Sequence, residues 1–192
     1  MSVDKSSFIH PTAIVDDGAT LGQNTKVWHY CHVMSGTVIR NDCSLGQNVF
    51  TANKVTLGNN VKVQNNVSIY EGVTCEDDVF LGPSMVFTNV INPRSHVSRK
   101  DQYKQTLVKK GASIGANATI VCGTTIGQYA FVGAGSVVTK DIPDYGLVMG
   151  NPARLTGWMS QHGEKLHFSK GEATCPATGE VYSLTQGKVT KG

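Results

Sequence analysis

The chain is poor in charged and aromatic side chains. Charged residues make up 16% of its 192 residues and aromatic residues 7%, and a charged share well below the usual value of about 25% argues against a helical bundle or coiled coil. No stretch approaches the roughly 18 consecutive apolar residues of a membrane-spanning helix. The N-terminus lacks the apolar core of a secretory signal peptide. We therefore expect a cytoplasmic protein that does not enter a membrane.

Cysteine pairs are also missing. The five cysteines lie at positions 31, 43, 75, 122 and 175, an odd number without any CxxC spacing. A disulfide framework and a four-thiolate zinc site are therefore poorly supported, and a reducing cytoplasm is the simplest compartment. His29 and His32 are followed by no other histidine before His96, so the sequence predicts no metal site.

Glycine is abundant, with 21 residues, and the sequence has a period of six. Positions six apart from Ile9 to Phe87 carry Leu, Ile or Val at eleven of fourteen places, and the residue four places after each is small or apolar. The register breaks after Phe87 and resumes from Val108 to Val138. Such a repeat predicts short strands separated by tight turns, with three hexads in each coil and six to seven coils in all.

Turn residues support this prediction. The third residue after each key aliphatic is often Gly, Asn or Asp, the types that tolerate positive φ. Most asparagines of the chain are therefore interpreted as turn residues rather than ligands. The positions concerned are Gly18, Asn24, Gly36, Asp42, Asn48, Asn60, Asn66, Gly72, Asp78, Asn117, Gly123 and Gly135.

The hexad pattern resembles the hexapeptide-repeat acyltransferases. The resemblance implies an all-β fold, a left-handed parallel β-helix over residues 1–142, with an insertion loop over 88–107 and a C-terminal extension over 143–192. An open solenoid leaves flat faces to protect, and in this superfamily trimers pack side by side. A homotrimer with active sites between subunits is therefore expected.

The basic residues are concentrated in and just after the insertion. The stretch 94–110 holds six Lys or Arg and one Asp. No ladder of aromatic and basic residues accompanies it, so nucleic acid is a weaker interpretation than a small phosphorylated ligand. The alternative is a solvated loop kept soluble by lysine. Connections of about 20 residues without secondary structure are usually functional.

Several segments carry a narrower resemblance, to the nucleotide-sugar 3-amino N-acetyltransferases. It implies acetyl-CoA as co-substrate, no metal, and a UDP-linked amino sugar as acceptor. The acceptor expected first is UDP-2-acetamido-3-amino-2,3-dideoxyglucuronic acid, on a route to lipopolysaccharide O-antigen sugars. The alternative is a dTDP-3-amino-deoxyhexose, which has no carboxylate. The segments are 27–29, 45–50, 63–70, 82–89 and 92–95.

The acceptor site implied by this resemblance centres on Asn89. An amide cannot act as a base at neutral pH, so Asn89 is expected to orient the sugar amine, while His96 and His29 remain candidates if a base is used. Arg94 is expected to bind a uronic acid carboxylate. Lys54 and Glu71 form either a surface pair or part of a phosphate site. The substrate-binding candidates are Arg94, Ser84, Asn48, Phe50, Lys54, Asn66, Glu71 and His29.

The cofactor site is expected at the last coils. Segments 142–145 and 148–154 resemble the superfamily's C-terminal signature, where acetyl-CoA is held. Small residues would let pantetheine approach the backbone, and basic side chains would bind the CoA phosphates. The candidates are Gly115, Ala116, Gly133, Ala134, Gly135, Lys140, Asn151 and Arg154.

Two alternatives from other functional classes share the predicted fold. A zinc carbonic anhydrase of the β-helix type needs about three converging nitrogen ligands, which the histidine spacing does not offer. A non-enzymatic solenoid would present regular threonine rows, which the sequence is expected to lack. The tail 160–192 leaves the hexad register and is expected to cap the open end of the helix or to pack on a neighbour.

Overall fold

The computed structural model describes residues 2–192 and, among them, no α-helix. One turn of 3-10 helix covers Lys100–Gln102. The strands are, in chain order, Ser2–Val3 (β1), Phe8–Ile9 (β2), Ile14–Val15 (β3), Thr20–Leu21 (β4), Lys26–Val27 (β5), His32–Val33 (β6), Val38–Ile39 (β7), Ser44–Leu45 (β8), Phe50–Thr51 (β9), Thr56–Leu57 (β10), Lys62–Val63 (β11), Ser68–Ile69 (β12), Val73–Cys75 (β13), Phe80–Leu81 (β14), Val86–Phe87 (β15), Thr106–Val108 (β16), Ser113–Ile114 (β17), Thr119–Ile120 (β18), Thr125–Ile126 (β19), Phe131–Val132 (β20), Val137–Val138 (β21), Gly146–Gly150 (β22), Ala153–Met159 (β23), Lys165–Leu166 (β24), Glu172–Thr174 (β25), Val181–Thr185 (β26) and Lys188–Lys191 (β27).

Strands three apart pair in parallel and form three flat faces. Face A joins β1, β4, β7, β10, β13, β16 and β19; face B begins with β2 and β5 and continues through β20 to β22; face C joins β3, β6, β9, β12, β15, β18 and β21. Outside the insertion and the last rung, paired residues are 18 positions apart, as Thr56 and Thr74 are. This is the predicted all-β hexapeptide-repeat β-helix, with three hexads in each coil, so the predicted fold class is confirmed.

The solenoid is longer than the predicted six to seven coils. Strands β1 to β21 make seven coils, and an eighth begins where Leu147 pairs with Phe131 and Ile142 bridges Ile126. The difference arises at both ends, because Val3 precedes the first counted hexad and the segment 139–146 breaks the spacing of six before the last rung.

The core is a narrow column of inward side chains. The second residue of most strands is buried, as for Leu45, Leu57 and Ile69, and so are the small residues four places later, such as Val49. Thr51 is also buried, and its hydroxyl lies 3.3 Å from that of Thr37. The inward hydroxyl at position 51 is therefore accommodated by a polar neighbour one coil below.

Three corners connect the faces. Corner 1 joins face B to face C (for example residues 47–48), corner 2 joins face C to face A (53–54), and corner 3 joins face A to face B (59–60). All twelve Gly, Asn and Asp residues predicted for tight turns have positive φ. Tyr30, Lys54, Ser84 and Tyr129 also have positive φ, between 53° and 58°, which is uncommon for such side chains.

Side chains of one coil satisfy turn amides of the coil below. Asn65 Oδ1 accepts a hydrogen bond from the backbone N–H of Gln47 at 2.8 Å, and Asp77 Oδ1 does the same for Asn59 at 2.6 Å. A Cβ at Gly46 would lie 2.5 Å from the same Asn65 oxygen. Glycine at 46 therefore leaves the space that the capping oxygen occupies.

The insertion interrupts the solenoid without displacing it. It runs from 88 to 105, because β16 begins at Thr106. The insertion therefore ends two residues earlier than the predicted end at 107. Val73 still pairs with Thr106, and Val86 with Thr119. The insertion therefore replaces a single turn at corner 2.

The sheet continues past the predicted boundary at residue 142, since β22 extends face B and pairs with β23 and then β24. Strands β25 to β27 form a separate antiparallel sheet, in which the segment 175–180 connects β25 to β26. Its buried residues Ala173, Cys175, Tyr182 and Val189 form one cluster with Tyr145 of the last coil. The tail thus packs on the end of the solenoid, near corner 3.

The surface of face A bears on the comparison with a non-enzymatic rod. Its outward positions carry several threonines in one row, but the row is interrupted at two rungs and is therefore not regular. The row arises because residues 18 apart share a rung position. From the N-terminal end it reads Thr20, Val38, Thr56, Thr74, Leu107 and Thr125.

We predict that Gly46→Ala destabilises the protein by about 1–3 kcal/mol, because the added Cβ overpacks the contact with Asn65. The measurement is the thermal unfolding midpoint. Gly157→Ala is the matched control, since its Cβ would meet only ordinary contacts, the nearest at 3.4 Å from Lys165 Cε. Equal midpoints for the two variants would contradict the packing argument.

Candidate active site

Corner 1 brings many of the predicted residues into one column. His29, Asn48, Asn66 and Ser84 lie on successive coils. Backbone hydrogen bonds connect the corner from coil to coil, such as Asn48 N–H to the carbonyl of His29 at 2.9 Å. The side chains of Asn48 and Asn66 also bond to each other at 3.1 Å. With positive φ as well, these two asparagines have a structural role as turn residues, and a role in substrate binding stays a prediction.

Corner 2 carries the other acceptor candidates. Lys54 Nζ lies 2.7 Å from Glu71 Oε1, and the lysine side chain is 74% exposed. The predicted proximity of these two residues is confirmed. An ion pair this exposed stabilises the fold by at most about 1 kcal/mol.

Asn89 lies one coil above Glu71, at the point where the insertion leaves corner 2. It is half-buried. Its backbone carbonyl accepts the N–H of Lys104 at 2.9 Å, which closes the base of the insertion. Thr88 Oγ1 accepts the N–H of Cys122 at 3.0 Å. The backbone around Asn89 is therefore anchored on both sides, which fixes where its side chain begins.

Face C separates these two corners and carries an aromatic strip, of which the sequence predicted only Phe50 as a substrate-binding residue. The ring of Phe50 lies 5.9 Å from that of His32 and 6.3 Å from that of Tyr70, edge-on in both cases. His32 Nε2 lies 3.2 Å from Asp16 Oδ1. The spacing of these residues in the sequence could have predicted the strip, because positions 32 and 50 are one coil apart and position 70 points outward on the next coil.

His29 is far from Asn89 within one chain. Its ring stacks on His10 at 3.5 Å, next to Trp28 and Phe8. Burial and, secondarily, the charge of His29 lower the pKa of His10. His29 belongs to the second coil and Asn89 to the fifth, so they are separated by roughly 14 Å along the axis and lie at different corners.

Two of the predicted cofactor glycines have a packing explanation. A Cβ at Gly115 would lie 2.5 Å from the backbone N of Ala134, and one at Gly133 would lie 2.6 Å from Met149 Cγ. Gly135 differs, since a Cβ there would meet nothing within 4 Å. Ala134 and Gly135 are exposed, and with half-buried Ala116 they form a shallow surface of small residues at corner 1.

The β22–β23 hairpin lies beside this surface. Gly150 N–H donates to Ser136 Oγ at 3.1 Å, which places the hairpin tip with Asn151 next to Ser136. Arg154 follows on β23, opposite Met149. Lys140 comes after β21 and lies at corner 2 instead. The structure therefore groups Asn151 and Arg154 with the small residues and leaves Lys140 apart from them.

Arg94 and His96 lie within the insertion itself, where both are exposed. They line an open cavity of about 410 Å³ within this segment, together with Arg99, Lys100 and Tyr103. The structure does not place either residue on the aromatic strip.

The thiols offer no nucleophile in the solenoid core. Burial raises the pKa of Cys75 to about 12, and burial also raises the pKa of Cys31 and of Cys43. All five cysteines are buried and unpaired. Over residues 2–192 no three His, Cys, Asp or Glu side chains converge as a metal site would require, and no helix is long and apolar enough to span a bilayer.

Comparison with known families gives two matches inside the solenoid. Residues 106–140 match the model "Bacterial transferase hexapeptide (six repeats)", and residues 36–71 match "Hexapeptide repeat of succinyl-transferase". These two ranges lie on either side of the insertion. The repeat is therefore recognised in both parts of the solenoid.

Individual proteins match over longer ranges. The dTDP-3-amino-3,6-dideoxy-alpha-D-galactopyranose 3-N-acetyltransferase of Aneurinibacillus thermoaerophilus is 46% identical over 190 residues, which is 99% of this chain and 97% of that protein. A hexapeptide-repeat acetyltransferase of Vibrio cholerae, solved with acetyl-CoA, has a TM-score of 0.57 and 26% identity, over 65% of this chain and 72% of the other. A galactoside acetyltransferase solved with coenzyme A has a TM-score of 0.59 and 25% identity, over 70% of each chain.

The repeat, the parallel solenoid and a relative that is 46% identical over nearly the whole length agree with one another. The chain belongs to the hexapeptide-repeat nucleotide-sugar N-acetyltransferases, which are acyltransferases.

Proposed function

We propose that this protein transfers the acetyl group of acetyl-CoA to the 3-amino group of a dTDP-linked 3-amino-deoxyhexose. The match to the Aneurinibacillus enzyme carries this proposal, because it spans solenoid, insertion and tail at 46% identity. The sequence motifs put a UDP-linked uronic acid first and this acceptor second. The proposal reverses that order.

The UDP-linked uronic acid, an O-antigen precursor, remains the second candidate because of Arg94. This residue is exposed in the insertion, and none of the ion pairs among the described residues includes it. A sugar carboxylate would supply a partner of matching geometry. A deoxyhexose has no carboxylate, so only the uronic acid acceptor would require this arginine as a binding partner.

The chemistry requires little from titrating side chains. The neutral 3-amine attacks the thioester carbonyl, the C–S bond breaks as the new C–N bond becomes an amide, and one proton leaves the nitrogen. Catalysis then depends on positioning and on donors for the oxyanion. We assign Asn89 to accept a hydrogen bond from the amine, while the departing CoA thiolate takes the proton through water.

The two halves of this site lie at different corners of one chain. Asn89 leaves corner 2, whereas the small residues beside Ala134 and the hairpin tip lie at corner 1, across the full width of face C. A second copy that presents its corner 1 to corner 2 of the first would unite them. We therefore propose a homotrimer with shared sites, the closed assembly expected in this family, and place it in a reducing cytoplasm that suits five unpaired thiols.

The acceptor prediction is tested by thiol release from acetyl-CoA with a panel of 3-amino sugar nucleotides. We expect fast turnover with dTDP-3-amino-3,6-dideoxyhexoses and slow turnover with the UDP-linked uronic acid. The reverse order would support the second candidate and make Arg94 the carboxylate-binding residue. Absence of thiol release with every sugar would overturn both.

We predict that Asn89→Ala lowers kcat/KM about tenfold to a hundredfold, since one hydrogen bond that orients the amine is lost. In the wild type, log(kcat/KM) should rise with pH until the sugar amine is deprotonated, without a further step from an enzyme base. Asn60→Gly is the control, because it removes an exposed amide at corner 3 from a position with positive φ. Full activity of Asn89→Ala would refute the assigned role.

Shared sites predict complementation between inactive subunits. Ala134→Trp should block the small-residue surface, and Asn89→Ala should impair the acceptor side. Mixed and reassembled, the two variants should recover about one quarter of wild-type activity, since random trimers contain some sites with both halves intact. Sedimentation checks the assembly, and mixtures that recover nothing would contradict sites shared between subunits.

A further inference from the structure

The insertion forms a cationic cavity of its own. Its volume is about 410 Å³, and Arg94, His96, Arg99 and Lys100 are among its lining residues, with Tyr103 at one side. No Asp or Glu lines it. Asp101 is the only acid in the insertion. The cavity therefore holds positive charge without a compensating carboxylate.

Arg99 is the most constrained of these cations. It is half-buried, and its Nη1 donates to Gln102 Oε1 at 3.1 Å. Its Nε is shielded from solvent and has no hydrogen-bond partner among residues 2–192. A shielded donor without a partner is unfavourable. The guanidinium is thus held in place through Nη1, while its Nε–H lacks a partner among the described residues.

Ion pairing elsewhere in the chain does not involve these cations. The pairs found among the described residues use Lys54, Lys109, Lys110, Lys191 and His32. The four basic groups of the cavity remain available to an anion. A guanidinium fork with neighbouring lysine is the combination that binds phosphate oxygens in pairs.

We propose that this cavity binds a phosphate group of a substrate, with Arg99 as the fixed donor and Arg94 and Lys100 supplying further charge. The identity of the substrates rests on the proposed function, in which sugar nucleotide and acetyl-CoA both carry phosphates. The basic insertion then has a role that requires no carboxylate on the sugar. Arg99 and Lys100 become binding residues.

The test is calorimetric titration of the intact enzyme with dTDP, UDP, CoA and 3′-dephospho-CoA. Arg99→Gln should lower the affinity for at least one of these ligands about tenfold to a hundredfold, the loss expected for a charge-assisted hydrogen bond. Arg40→Gln is the matched control, since it removes an exposed arginine of face A outside the insertion. It should leave all affinities unchanged.

The pattern of affinity losses among the four ligands identifies which substrate supplies the phosphate. If only the affinities for dTDP and UDP fall, the cavity binds the sugar nucleotide. If the affinity for CoA falls but that for 3′-dephospho-CoA does not, the cavity binds the 3′-phosphate of CoA. If both CoA forms weaken, the diphosphate of CoA is the ligand. Unchanged affinities for all four, or equal losses in Arg40→Gln, would overturn the proposal.

Folding and function are separated within the same experiment. If Arg99→Gln lowers the thermal midpoint, the exposed Lys100→Gln replaces it: weaker binding then supports the site, and unchanged binding overturns it. Because binding is measured without turnover, failure of this proposal differs from failure of the proposed function. The latter would be seen as absent thiol release by the wild-type enzyme.

Discussion

Stacking at a spacing of 18 residues is the constraint on which the rest of this structure depends. Each coil must satisfy the turn amides of the coil below and leave room for the atoms that do so. Asn65 Oδ1 both accepts the N–H of Gln47 and occupies the place of a Cβ at Gly46. The capping oxygen and the missing side chain are therefore one feature, and without it the backbone N–H of Gln47 would lose its protein partner.

The same constraint decides where chemistry can occur. Inward positions are filled by the core, and most turn positions are committed to the ladder, as Asn48 and Asn66 are. Space for substrates remains on the outward positions of a face, at the corners, and where the regular coil is interrupted. Asn89 lies at such an interruption, with its backbone anchored by Lys104 and Cys122. A rigid scaffold with few titrating groups suits a reaction that mainly requires alignment of amine and thioester.

Periodic features could be predicted from the sequence, and non-periodic ones could not. The hexads, the turn residues and the Lys54–Glu71 pair follow from position in the repeat. Contacts between segments outside the repeat determine three other features. These are the end of the insertion, the eighth rung at Leu147 and the separation of Lys140 from Arg154. Gly115 is instructive: the sequence predicts it as a cofactor residue, yet close contact with the backbone of Val132 and Ala134 already accounts for the glycine. The period of six carries no information on the acceptor sugar, because it fixes where a side chain lies and not which ligand it binds.

The threonine row of face A shows why surface regularity alone does not identify a function here. Thr20, Thr56 and Thr74 share a rung position, and β-branched residues suit short strands on a pleated surface. A repeat of six therefore produces rows on a face whether or not a ligand uses them. What distinguishes an enzyme from an inert rod is departure from the repeat: the insertion at Asn89, the Nε of Arg99 that lacks a partner among residues 2–192, and the hairpin beside Ser136. At these three places the stacking of coils does not account for the structure, so a functional role is the remaining explanation.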